Sequence, residues 1–240
     1  MEDGQRNEMS FLEKIYYERY TKKSYSLSNV DLIIDYLFKN IDKGVYIDVG
    51  CNHPIKFNNT YLLYKRGWSG INIDSDFDSI KLFNKFRSDN FNVRNIVSDD
   101  ESIKKLYYYH KRSALNTLSK DLVDYRTSKP SKIIEEKSVT LNKIIEDSPY
   151  HNSKINLLSL DVENHEFEVL KNLNFLKYNI DVLVVEITDT NLKKLEMYNQ
   201  SLDFITTSKV YKLIIENGYK LVNLIHSDMV FVKNDFGKSE

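Results

Sequence analysis

The feature that most constrains this chain is a recurring unit, a short apolar run that ends at an acidic residue and leads into a helical pattern. Val45-Tyr46-Ile47 runs into Asp48-Val49-Gly50, and Gly70-Ile71-Asn72-Ile73 runs into Asp74. Asn92 to Val97 precedes Ser98-Asp99-Asp100, Ile155 to Leu160 precedes Asp161, and Val182 to Val185 precedes Glu186. Runs as continuously apolar as Ile155 to Leu160 belong to strands covered on both faces. Between them lie helical patterns: Thr60 to Lys65 closed by Gly67, and an Asp76-capped segment bearing Ile80, Phe83 and Phe86. Another runs through Phe167, Val169, Leu170 and Leu173, and one capped by Ser208 carries Val210, Leu213 and Ile214 before Gly218. Such alternation predicts a parallel sheet with helices on both faces. Further strands are expected at Leu106 to His110 and at Val139, which turns into a helix reaching Ile145. Tyr219 to Ile225 and Met229 to Val232 are joined only by His226-Ser227-Asp228, a connection short enough to favour an antiparallel hairpin. The expectation is an α/β fold with a mostly parallel seven-stranded sheet, closed by that C-terminal hairpin.

Two helices are expected ahead of the sheet. Ser10 to Glu13 has capping-box spacing, followed by Phe11, Leu12, Ile15 and Tyr16 at helical period. Ser28 opens a second helix, with Asp31 three residues on and a stripe of Val30, Ile33, Ile34, Leu37 and Phe38. Both are read as covers over the start of the core. Asp42-Lys43-Gly44 then separates an N-terminal helical extension, residues 1–43, from the main domain, residues 44–240. The polar stretch from Lys111 to Pro130 reads as an excursion over the active face. With 34 basic and 35 acidic residues the net charge is −1, which offers nucleic acid no global attraction. Tyr107 to Arg112 mixes aromatic and basic residues, but its alternation suits a half-buried strand better than a stacking platform. Cys51 is the only cysteine, so no intramolecular disulfide forms. The mixed-charge start, Met1 to Ser10, is unlike a signal peptide, and no apolar run reaches the ~20 residues of a membrane span. A cytoplasmic protein is expected.

Ligands of parallel α/β sheets bind beyond the carboxyl ends of the strands, where these acidic residues stand. The first turn, Asp48-Val49-Gly50-Cys51-Asn52-His53-Pro54, has one glycine, and Pro54 removes an amide. A dinucleotide site needs Gly-x-Gly-x-x-Gly to bring backbone amides to a pyrophosphate. The turn therefore disfavours a phosphate cradle and suits S-adenosylmethionine, whose sulfonium and ammonium groups favour carboxylates such as Asp48. Asp74, 24 positions after Gly50, has the spacing of a ribose-binding acid. His165 has the reference pKa of a general base, and Asp161 and Glu163 stand beside it to orient an acceptor or bind a divalent cation. Asp-x-Glu-x-His alone carries no metal assignment. Trp68, in Gly67-Trp68-Ser69-Gly70, reads as core, and His53 as an incidental loop residue.

Two segments carry a resemblance to a known family. "YIDVGCNHP" at 46–54 with "NNTYLLYKRGWSGINID" at 58–74, and "LLSLDVENHEFEVL" at 157–170, resemble the signatures of FkbM methyltransferases. "VTLNKIIED" at 139–147 and "DMVFV" at 228–232 match in kind and order. Cys51 replaces a common Ala and Asn164 a usual Gly. The resemblance covers roughly residues 44 to 233. It implies a Rossmann-like class I methyltransferase fold, with S-adenosylmethionine contacts at Asp48, Gly50, Asn52 and Asp74 and with Ser98 or Asp99 near the adenine. It also implies methyl transfer to oxygen, commonly on a glycan or a glycosylated metabolite, with specificity expected in the 111–130 excursion, the N-terminal helices and the 189–207 segment. Two other readings compete: an NAD-dependent oxidoreductase, weakened by the missing glycines, and a catalytically degenerate scaffold.

Overall fold

The computed structural model describes residues 9–188 and 201–237. The mixed-charge chain start and most of the 189–207 segment lie outside the described residues. In chain order the elements are α1 (Phe11–Glu18), α2 (Val30–Leu37), β1 (Val45–Val49), α3 (Tyr61–Lys65), β2 (Ser69–Asp74), α4 (Phe77–Phe86) and β3 (Phe91–Arg94). There follow β4 (Ile96–Val97), β5 (Ile103–Tyr108), α5 (Lys120–Tyr125), β6 (Lys132–Val139), α6 (Leu141–Asp147) and β7 (Leu157–Leu160). The chain continues through α7 (Glu166–Leu170), α8 (Phe175–Tyr178), β8 (Val182–Glu186), α9 (Leu202–Thr207), α10 (Lys209–Glu216), β9 (Tyr219–Ile225) and β10 (Asp228–Lys233).

Seven strands form one sheet in the order β3-β2-β1-β7-β8-β10-β9. β1 pairs in parallel with β2 and β7, and β10 runs antiparallel to both β8 and β9. The expected seven-stranded, mostly parallel sheet with a closing hairpin is therefore present. Strand alternation divides its core between two faces. Ile47, Val49, Leu158, Leu160, Leu183 and Val185 face α6, α7 and α10, meeting Leu141, Ile144, Val169 and Ile214. Tyr46, Leu157, Val182, Val184 and Val230 face the other way, onto Val30, Ile34 and Phe38 of α2 and onto Trp68. Fully burying each such aliphatic side chain contributes about 1.5–3 kcal/mol, so both helical layers are required.

Several local expectations are corrected. Asn92 to Val97 is two strands, because β2 ends at Asp74 and leaves no partner beyond Arg94. The chain there passes to a small sheet ordered β4-β6-β5. β6 was visible only at Val139, since Lys132 to Ser138 is charge-rich and half-solvated. The helix after β7 ends at Leu170, with Leu173 buried beyond it. Ser28 does not cap α2. The N-cap position is Asn29, left-handed (φ 64°) and without a side-chain cap bond, and Asp31 turns back to accept from Ser24 Oγ (2.6 Å), Tyr25 N–H (2.7 Å) and Ser26 Oγ (3.0 Å). The capping box of α1 forms, but Phe11 and Leu12 are 77% and 76% exposed, so these two side chains cover no core. Trp68 is core, 1% exposed, its ring tilted against that of Phe38 with centroids 4.9 Å apart.

Candidate active site

The strand order turns outward in both directions from β1 and β7, and a ligand crevice belongs at that switch point. A cavity of about 260 Å³ opens there. Its wall includes Asp48, Gly50, Asn52, Asp74, Asp161, Glu163 and His165, seven of the nine residues expected at the site from sequence. Ser98 and Asp99 follow β4 rather than a strand of the main sheet and do not line the cavity, which Ile96 and Val97 line instead.

Gly50 (φ 78°) lets the first turn fold back over β2 and β7. Its N–H and that of Cys51 both donate to the Ile73 carbonyl, at 2.9 and 3.1 Å. Asn52, also left-handed (φ 49°), sends its N–H to the Asp74 carboxylate at 2.8 Å. The other Asp74 oxygen accepts from the Asp76 N–H at 2.7 Å. Burial pushes the Asp74 carboxyl up to about 6, against those two amides.

Asp48 is buried and accepts from Asn58 Nδ2 (2.9 Å) and Thr60 Oγ1 (2.8 Å). Behind them lies Arg87, wholly buried at the end of α4. Its guanidinium donates to Thr60 Oγ1 (2.8 Å), Asn58 Oδ1 (2.7 Å), the Tyr46 hydroxyl (3.0 Å) and the Pro54 carbonyl (3.0 Å). Burial raises the Asp48 carboxyl and the Arg87 charge opposes that rise. Arg87 braces the whole 50–60 turn. Sequence reasoning missed it because it sits in an ordinary helix end, 33 residues from the turn it holds.

His165 opens α7, with Nε2 2.9 Å from Ser98 Oγ. Ser98 Oγ is also 2.9 Å from Asp99 Oδ1. Hydrogen bonds from Lys171 and Ser98 hold Asp99 ionised, well below the usual carboxylate range. An ionised carboxylate only accepts, so the Ser98 proton goes to Asp99 and His165 Nε2 must donate to Ser98. That leaves the Nδ1 lone pair as the imidazole's base, 3.7 Å from Glu168. Burial lowers the His165 pKa and keeps the ring neutral. His53 stands off the cavity, its Nδ1 accepting from the Ile55 and Lys56 N–H groups.

Asp161, Glu163 and Glu186 each bring a carboxylate oxygen within 4.8 Å of the others. Burial and then mutual repulsion raise all three carboxyls. Arg126 from the end of α5 pairs with Glu163, and Ser227 Oγ donates to Glu186 at 2.8 Å. Glu163 (φ 58°) and Asn164 (φ 69°) are both left-handed, a turn that asparagine tolerates. Ser28 and Asp228, joined by a hydrogen bond, complete the far wall with His226. None of these three was named as a site residue from sequence. The 111–130 excursion does lie over the cavity: Ser113, Asn116, Thr117 and Leu118 line it, and Thr117 Oγ1 donates to the Glu163 carbonyl at 2.6 Å.

The cavity wall thus holds six carboxyl groups, from Asp48, Asp74, Asp161, Glu163, Glu186 and Asp228, and among the described residues no lysine or arginine. No helix among the described residues is long and apolar enough to cross a membrane. Neither the curated proteins nor the solved structures provide a match to the chain. The family model of the methyltransferase FkbM domain matches residues 48–221, from the acid that ends β1's core to the middle of β9. The match spans most of the sheet and the ends of β1, β2, β7 and β8 at the cavity, and the chain belongs to the FkbM methyltransferase domain family.

Proposed function

We propose that this protein is an S-adenosylmethionine-dependent O-methyltransferase whose acceptor is a hydroxyl of a sugar, glycan or glycosylated metabolite. The cavity lined by six carboxyl groups without a lysine or arginine carries the reading. A dinucleotide would bring its pyrophosphate to that wall and meet neither a basic side chain nor a glycine-rich cradle. A cofactor bearing sulfonium and ammonium charges is attracted by the same wall.

The residues present suit such a group. Asp74 keeps lone pairs for two ribose hydroxyls after accepting from Asn52 and Asp76. Ile73, Ile96, Val97 and Leu106 offer an apolar surface for adenine. Asp48 is oriented by Asn58 and Thr60 toward the positive end of the ligand. When bound, S-adenosylmethionine supplies an electrophilic methyl group on sulfur. The protein supplies position and a proton acceptor. Neutral His165 takes the acceptor's hydroxyl proton at Nδ1, and Glu168 stabilises the imidazolium that forms. Arg126 holds Glu163 at the edge of the acceptor side.

Calorimetric titration with S-adenosylhomocysteine, beside NAD and an Asp74→Ala variant, tests the reading. Micromolar affinity (about −8 kcal/mol) is expected for the wild type. Asp74→Ala is expected to weaken it at least tenfold (about 1.4 kcal/mol). A folded sample that binds no S-adenosylhomocysteine overturns the proposal.

A further inference from the structure

A second cavity, of about 470 Å³, lies against the first and shares His165 and Glu186 with it. We infer that this second cavity is the acceptor cleft, and that it takes a neutral saccharide ring on the face of Phe167. The inference rests on the cofactor reading above and assigns the other half of the reaction to named residues.

Phe167 is the observation that leads there. It sits on α7 between Glu166 and Val169, both buried, yet it is only partly buried and belongs to none of the core clusters. Its ring lines the cavity, with Lys209 Nζ 5.8 Å from the ring centroid, and a ring so placed meets whatever enters. Phe204 of α9 adds a second ring to the wall, this one anchored in the main core. Around the rings stand small polar groups: Ser119, Asn164, Thr188 and Ser208. Ser119 and Ser208 accept from the N–H groups of Leu122 and Tyr211 as helix caps. Among the described residues neither hydroxyl proton has an acceptor, so each can donate to a ligand. A pyranose has the complementary pattern, with an apolar C–H face to lie on a ring and a rim of hydroxyls for short polar side chains.

Charge argues for a neutral ring over an ionic one. Lys120 and Lys209 line the cleft together with Asp121 and Glu168, two residues of each sign, and Lys120 pairs with Asp124. Glu166, also on the wall, accepts from the Val162 N–H at 2.9 Å and is pushed up to about 8 by burial. A carboxylate or phosphate acceptor would find no surplus of positive charge there. A hydroxyl presented from this cleft reaches the first cavity at His165, the shared wall, where its proton is to be taken.

Saturation-transfer NMR on the full-length protein, saturated with S-adenosylhomocysteine, tests the cleft. The probes are methyl glycosides of glucose, galactose, mannose, rhamnose and N-acetylglucosamine, with glycerol as the non-ring control. At least one pyranoside is expected to receive saturation at its ring C–H protons. Phe167→Ala is expected to cut that signal at least fivefold, and Phe167→Tyr to keep it. Both variants should bind S-adenosylhomocysteine as the wild type does. If circular dichroism shows Phe167→Ala unfolded, Phe167→Leu replaces it, keeping apolar bulk while removing the ring. Saturation of no pyranoside, or an equal signal in the ring-less variant, overturns the inference. Should S-adenosylhomocysteine itself fail to bind, the cofactor reading alone falls, and the same comparison on the unliganded protein decides the cleft.

Discussion

Gly50 and the main-chain carbonyl of Asp161 are packed so closely that a Cβ on Gly50 would stand 1.7 Å from that oxygen. Two strand ends, β1 and β7, thus approach through a position where only hydrogen fits, and the cavity floor depends on it. Gly50→Ala must move backbone, since the obstacle is a carbonyl rather than a flexible side chain. The left-handed φ of 78° adds strain for any residue with a Cβ. We expect a loss of about 3 kcal/mol or more, read as a lowered urea midpoint with unchanged slope. A variant as stable as the wild type would show that the two strand ends can part at no cost.

The Ser98–Asp99 pair is expected to set the tautomer of His165. Long-range proton–nitrogen NMR should show Nε2 protonated in the wild type at neutral pH. In Asp99→Asn the new amide can donate to Ser98, which turns its own proton toward Nε2 and moves the ring proton to Nδ1. An unchanged tautomer in Asp99→Asn would remove Ser98 and Asp99 from the mechanism.

Buried Glu166 makes stability depend on pH in a stated direction. Its carboxyl sits near 8 when folded, against an ordinary 4.5. Between those values the folded chain binds more protons than the unfolded one, so stability falls as pH rises through the window. Glu166→Gln keeps an oxygen for the Val162 N–H and cannot ionise. Its melting temperature should match the wild type at pH 4 and exceed it above pH 8 by about 3 °C or more, roughly 1 kcal/mol. A constant offset at every pH would refute the assignment.

Asn164 stands where the family resemblance expects glycine, and its φ of 69° explains why either residue serves. Its Nδ2 also donates to Ser119 Oγ at 3.1 Å. Asn164→Gly should therefore change unfolding free energy by under about 1 kcal/mol, whereas Asn164→Val should cost about 2 kcal/mol. Chemical denaturation of the three proteins checks the ranking.

Much of the site was legible because strand ends are local events. Asp48, Asp74, Asp161 and Glu186 each follow an apolar run, and a parallel sheet brings all such ends to one edge. The same logic misplaced Ser98 and Asp99: their apolar run looked like one strand, but β2 ends at Asp74 and Ile96–Val97 crosses to the small sheet. The first helix misled in another way. Its capping box forms as spelled in Ser10 and Glu13, yet helix formation says nothing of what the helix packs against, and Phe11 and Leu12 are left in solvent.

By itself, then, the sequence determined the α/β alternation, the closing hairpin and which turns carry the acids, because periodicity, caps and turns depend on neighbours a few residues apart. Only the tertiary structure decided the rest. Arg87 reaches back to Pro54 and Asn58, and Ser28 meets Asp228 across 200 residues. Phe167, on a helix stripe that reads as core, is turned to a cleft between α7, α9 and the start of α5. Such pairings depend on sheet register and helix packing, which no local pattern encodes: a polar residue finds its partner only after strands far apart in the chain have aligned.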